Sequence, residues 1–168
     1  MTGTIERNYL EIKSISDLIV SGIPKLKCSI SFLKTSDFQI NKFFYKNVGK
    51  KYRWIDRLVW SDKEWIGYSS SVNVDTYILK IADDLAGYFE LILHSDSKEI
   101  EIAYLGLLEE YHNKKLGSYL LSVAIKKSFE NKDVNRVWVH TCTLDHKNGL
   151  KNYLARGMKI FKKEIIKV

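Results

Sequence analysis

Apolar residues recur with two different periods along this chain, and the changes of period divide it into strands and helices. The clearest strand is the run at 99–107, Glu-Ile-Glu-Ile-Ala-Tyr-Leu-Gly-Leu, rich in β-branched and apolar residues. A helix follows it, with Leu116, Tyr119, Leu120, Val123 and Ala124 at helical spacing and Lys126, Lys127 and Glu130 among the polar positions. Upstream, 27–33 alternates roughly as a strand. Thr35, Ser36 and Asp37 offer a helix start for Phe38, Ile40, Phe43, Phe44 and Val48, and Gly49 ends that helix. A loop at 50–60 leads to Ser61-Asp-Lys-Glu64, a capping box that opens a second helix through about Ser69. Strands are expected at 74–82 and 86–94 around an Asp83-Asp84 turn, and 95–98 turns into the strand at 99–107. A buried strand at 134–141 and a closing strand at 158–168 complete the order β-α-α-β-β-β-α-β-α-β.

The first 23 residues are the least patterned. Ile12, Ile15, Leu18 and Ile19 would line one face of a helix, but no tight cap frames them. They are expected to form an extension, packing on the domain or on a neighbouring subunit, which leaves a homodimer open. Pro24 separates them from one domain spanning 24–168. No repeat or low-complexity segment interrupts that span.

Composition narrows the class. With 168 residues, 45% hydrophobic and 12% aromatic, the chain is globular and long enough for a sizeable core. No apolar run reaches membrane-spanning length, and the N-terminus lacks a secretory pattern, so no membrane association and a cytoplasmic location are expected. Cys28 and Cys142 are too few for a disulfide framework or a zinc site, and the four histidines show no metal spacing. The net charge of +7 comes from scattered lysines rather than a dense patch, which argues against nucleic acid. Such a surface is mostly solvated, and it also suits an anionic ligand.

Between the strand at 99–107 and the helix after it lies a turn with His112, Asn113, Lys114 and Lys115, closed by Gly117 and Ser118. A helix N-terminus has free N–H groups and partial positive charge, so such a turn can hold phosphate, although many similar turns bind nothing. The run His112-Asn-Lys-Lys115-Leu-Gly117 resembles the acyl-CoA-binding motif of the GNAT N-acetyltransferase superfamily, Q/R-x-x-G-x-G/A after a strand, here ending at Leu107. His112 stands where Gln or Arg is usual and Lys115 where the first glycine is usual. A second block, Tyr153-Leu-Ala-Arg-Gly157-Met158, resembles the family's Y-x-x-x-G-F with Met158 for Phe. The resemblance covers roughly residues 25 to 168, with both blocks in the family's order.

The resemblance implies an α/β (α+β) GNAT fold: a mixed central sheet, helices on both sides, and a splay between the strands at 99–107 and 134–141. It implies acetyl-CoA as co-substrate, no metal, and direct transfer to a primary amine on a small molecule or peptide. Leu105, Gly106 and Leu107 would line pantetheine, with Gly106 at a bulge or close approach. The amides of residues 113 to 118, Leu116 among them, would hold pyrophosphate. Asn148 would stand near pantetheine, while Asp145 reads as a helix cap.

The amine must lose a proton and the thiolate must gain one. Glu101 is the expected base, since period-two alternation puts it on the face of Leu105 and Leu107; Glu90 is second. Otherwise these are solvated or lysine-paired carboxylates. Tyr153 is the expected acid toward the thiolate, or else a core tyrosine. Cys142 with His140 or His146 would make an acyl-enzyme, although a cysteine in a buried strand is commonly a small core residue. Trp54, Asp56 and Trp60, with Arg57 and Trp65 nearby, either form a wall for a cationic amine or simply pack, with Asp56 and Arg57 as surface charges. A non-catalytic acyl-CoA-binding sensor on the same fold is the alternative to an enzyme.

Overall fold

Alternating apolar positions build one seven-stranded sheet, which in this computed structural model is described over residues 3–33 and 37–168. The elements are β1 (Thr4–Ile12), β2 (Cys28–Phe32), α1 (Phe38–Gly49), α2 (Asp62–Ser69), β3 (Val74–Ile81), β4 (Asp84–His94), β5 (Glu99–Leu107), α3 (Leu116–Glu130), β6 (Arg136–Cys142), α4 (Gly149–Ala155) and β7 (Lys159–Lys167). Spatial order is β2-β3-β4-β5-β6-β1-β7, with β5 and β6 parallel and the other neighbours antiparallel. The sheet is therefore mixed, as expected. One core fills the space between its centre and α3, with Leu120, Leu121 and Ile125 fully buried against Phe89, Ile102 and Val137. Phe44 and Val48 of α1 pack against Ile78 and Tyr88 on the other face.

Local signals set the helix starts. Asp37 accepts from the amide of Gln39 (3.1 Å) at the start of α1, whereas Thr35 and Ser36 lie outside the described residues. Ser61 and Glu64 form the expected reciprocal box at α2, bonding each other's amides at 2.7 and 3.3 Å. The β3–β4 turn is one residue earlier than expected. Ala82 takes the left-handed conformation (φ 52°) and Asp84 already belongs to β4.

Three expectations are corrected. First, Thr4–Ile12 is an interior strand between β6 and β7, not part of an appended extension. Asn8, Leu10 and Ile12 point into the core, and Ile15–Asp17 is a single 3-10 turn where a helical face was expected. Second, Glu101 is not on the face of Leu105 and Leu107. The β4 register pairs Leu91 with Ile102 and Glu90 with Tyr104, so Ala103 is an extra residue that reverses the alternation. Leu105 and Leu107 face α3, while Glu101 shares its side with Glu90 and Tyr104. Third, Arg57 is not a surface charge; only 8% of it is exposed.

The splay follows from register too. β5 and β6 pair only from Glu99↔Arg136 to Glu101↔Trp138 and then part. From Ile102 to Leu107 the edge of β5 toward β6 has no strand partner, and a cavity opens between them. Among the described residues, no helix is long and apolar enough to cross a membrane.

Candidate active site

The cavity at the splay has a volume of about 870 Å³. One half of it is built from the β5–α3 turn. Asn113 and Lys115 both sit in the left-handed region (φ 61° and 60°), and this curls the turn so that α3 begins beside the end of β5. A glycine adopts that conformation freely, which accounts for the family's usual residue where Lys115 stands. Asp37 and Ser61 cap α1 and α2 with their side chains, but no side chain caps α3. Its first N–H groups, with Leu116, Gly117 and Ser118, line the cavity.

His112 closes this half from the other side. Its Nε2 lies 3.2 Å from the carbonyl oxygen of Leu107, and its ring meets His146 edge-on at 5.0 Å. Burial first, then the charges of His112 and Lys147, push the His146 imidazole below its ordinary pKa. Leu105, Gly106, Leu107 and Asn148 also line the cavity. Gly106 is a close approach rather than the bulge, since a Cβ there would overlap Val48 of α1. Asp145 does not cap α4. Its carboxylate accepts from the Thr141 hydroxyl (2.7 Å) and the Cys142 amide (2.9 Å), pinning the end of β6.

This geometry gives a clean test of the turn. A Cβ at Gly117 would meet Asn152 and Leu107 at 3.9 Å, ordinary contact, so Gly117→Val should fold. Its methyl groups would stand over the free amides, and acetyl-CoA should bind roughly tenfold or more weakly by calorimetry. Unchanged affinity would remove the turn from the ligand's path.

The other half is lined by Trp54 and Asp56 from the loop between α1 and α2, by Tyr104, and by Arg7, His140 and Cys142 from β1 and β6. Tyr153, on α4, lines it as well. Burial first, then the charge of Asp145, pushes its phenol well above the ordinary value, so it keeps its proton. The His140 imidazole is pushed below its ordinary value, by burial and then by Arg7, with Glu101 acting in the opposite sense. Burial and Arg7 both favour the neutral ring, which is the form able to accept a proton.

Four of the expected residues stand elsewhere. Lys114 is exposed outside the cavity. Glu101 does not line it; its carboxylate lies 3.2 Å from Nε2 of His94. Glu90 is fully buried and accepts from Asn41 (2.9 Å), Arg57 (3.1 Å) and Tyr68 (2.6 Å). Trp60 packs 4.7 Å from the Arg57 guanidinium, which also lies 4.0 Å over Tyr68 and 4.4 Å over Tyr104. The aromatic cage exists, but the chain's own arginine fills it.

Sequence reasoning passed over Arg7 and Asn152, and weighed His140 only as a partner for Cys142. Alternation along β6 was the available signal: Val137, Val139 and Thr141 face the core, so Trp138, His140 and Cys142 share the other face. Asn152 Nδ2 donates to the Gly117 carbonyl at 3.1 Å and ties α4 to the first turn of α3. Nothing in its local sequence marks that role.

Comparison with known proteins agrees with the architecture. Residues 37–158 match the family model described as the acetyltransferase (GNAT) family. A GCN5-related N-acetyltransferase from Kribbella flavida superposes with a TM-score of 0.69 at 14% identity, over 96% of this chain and 56% of its own. One from Sphaerobacter thermophilus superposes with a TM-score of 0.75 at 10% identity, over 98% and 51%. The chain thus spans about half the length of these two proteins. An aminoglycoside acetyltransferase from an uncultured soil metagenomic sample, in complex with trehalose, has a TM-score of 0.63 at 13% identity, over 77% and 86%. No curated protein matches the chain.

Proposed function

Since this chain belongs to the acetyltransferase (GNAT) family, we propose that it transfers an acetyl group from acetyl-CoA to a primary amine, directly, within a ternary complex. One observation supports this above the rest. A single cavity joins an uncapped helix N-terminus with Lys115 and Gly117 to a pocket holding a neutral imidazole and a protonated phenol. The free edge of β5 along Ile102–Leu107 lies between them. Acetyl-CoA supplies the activated thioester. The α3 amides, Lys115 and the β5 edge bind and orient it.

The acceptor arrives as an ammonium with a pKa of about 10 and must become neutral before its nitrogen can attack the carbonyl carbon. In this reading His140 takes that proton, and Glu101, on the same side of the sheet, favours the imidazolium that forms. Tyr153 gives its proton to sulfur as the carbon–sulfur bond breaks. The proton shed by the new amide returns through solvent to the phenol. An acyl-CoA sensor would need neither His140 nor Tyr153 facing the cavity, so catalysis is the better reading.

The test follows free thiol while the protein is incubated with acetyl-CoA and a panel of amines. Thiol release that depends on an amine is expected; tight acetyl-CoA binding with no release from any amine would favour the sensor. The pH profile then tests the base. Activity needs neutral His140, so kcat/KM should fall as pH drops through a value below 6.5. Glu101→Gln removes a charge that favours imidazolium and should move this acid limb to lower pH. His140→Gln should abolish the limb and cost roughly 10²–10⁴-fold. An acid limb that stays put in His140→Gln would assign the proton to another group.

A further inference from the structure

Arg7 lies midway along β1, paired with Cys142 on one side and Glu164 on the other, and lines the acceptor half of the cavity. It is half-buried, and its Nε is buried without a hydrogen-bond partner. Its cross-strand neighbour Glu164 is already committed to Lys162 (2.6 Å) and to the Tyr9 hydroxyl (2.8 Å). Among the described residues, no carboxylate oxygen comes within 4.0 Å of the Arg7 guanidinium. The guanidinium thus brings a positive charge without a carboxylate partner to the cavity wall, which an entering carboxylate can pair at its terminal nitrogens.

We propose that Arg7 receives a carboxylate of the acceptor, so that the amine acetylated here belongs to a molecule that also bears a carboxylate, such as an amino acid. This rests on the acetyl-transfer reading above and names the acceptor class for the same site. The cavity's acids fit that class. Asp145 is held by Thr141 and Cys142, so Asp56 is the acid left to face an ammonium. A cavity offering Arg7 and exposed Arg53 against one such aspartate opposes a polycation and matches a zwitterion. The same charges make a polyamine or an aminoglycoside a poor acceptor.

Acceptor kinetics with L-amino acids and their amides test this directly. Amidation makes the α-amine less basic and by itself favours reaction, so a preference for the acid is a stringent result. The wild-type protein should favour acids over amides in kcat/KM by about tenfold to a hundredfold, the worth of a charge-assisted hydrogen bond. Assayed at a pH well above the acid limb, where the loss of Arg7's influence on His140 no longer tells, Arg7→Gln should lose that factor for acids, change amides far less and keep acetyl-CoA affinity, while Arg7→Lys should restore part of it. Equal use of acids and amides by the wild type, or equal loss for both in Arg7→Gln, overturns the proposal. Should no amine be acetylated, thermal shifts with CoA present decide it. Stabilisation by acids alone, lost in Arg7→Gln, supports the anion site, and its absence refutes it. Failure to bind acetyl-CoA in a separate titration would instead refute the transferase reading, whichever way the Arg7 result falls.

Discussion

Tyr153→Phe is expected to slow acetyl transfer by roughly 10²–10⁴-fold while leaving acetyl-CoA affinity and folding close to wild type. The ring packs on the main core beside α3, and phenylalanine keeps that contact. What disappears is the hydroxyl, held protonated by burial and by the negative charge of Asp145. A group that stays protonated across neutral pH is in the state that the proposed role needs, donor to the departing thiolate rather than base toward the amine. Single-turnover measurement with excess enzyme isolates the chemical step, and calorimetry gives the affinity. A second substrate sharpens the result. A thioester whose thiol is more acidic needs less help to leave, so the penalty of Tyr153→Phe should shrink with it. Equal penalties for both thioesters would make Tyr153 a packing residue, with sulfur protonated through water.

The strand–turn–helix half of the cavity was legible because its determinants are local. A β-branched strand, a turn ending in glycine and an amphipathic helix follow one another within about 30 residues, as in any strand–turn–helix unit. Even the departure at Lys115 has a local reading, since its left-handed φ is the reason glycine is common there. The half built on β1 and β6 was not legible, because its placement depends on partners far along the chain. β1 is defined by pairing with β6 and β7, and its period of two, in Asn8, Leu10 and Ile12, is diluted by Glu6, Arg7 and Glu11. With β1 unread, Arg7 had no place in a site. Glu101 failed for a different reason: strict alternation assumes no bulge, and the one at Ala103 is visible only in the β4 register. The tryptophan-rich loop was read for the right chemistry, cation on aromatic faces, but the cation proved to be Arg57. Sequence offered Tyr45, Tyr68 and Tyr104 no link to it, since they come from three different elements.

Arg57→Met should cost about 3–5 kcal/mol of stability, the usual consequence of leaving a buried carboxylate without its counter-ion. For a chain of this size that is a fall in Tm of roughly 6–20 °C. Glu90, with no exposed surface, would keep only Asn41 and Tyr68 as donors. The reverse change, Glu90→Leu, strands a guanidinium among five aromatic rings. Burial opposes its charge there, and Glu90 is the principal group that offsets this. Each single variant leaves one charge unpaired, so the losses should not add. Arg57→Met with Glu90→Leu should recover more than half of the summed loss. The same variants separate structure from recognition. The loop carrying Arg57 lines the cavity through Tyr52, Arg53, Trp54, Ile55 and Asp56, and Trp54 packs on Tyr104, one of the rings around Arg57. Arg57→Met, assayed well below its Tm, should therefore raise KM for the amine more than it weakens acetyl-CoA binding. If small quaternary ammonium ions bound the wild type and competed with the amine, the cage would be open to external cations and Arg57 would be its plug. With Arg57 held against Glu90 at 3.1 Å and the rings closed over it, no such competition is expected.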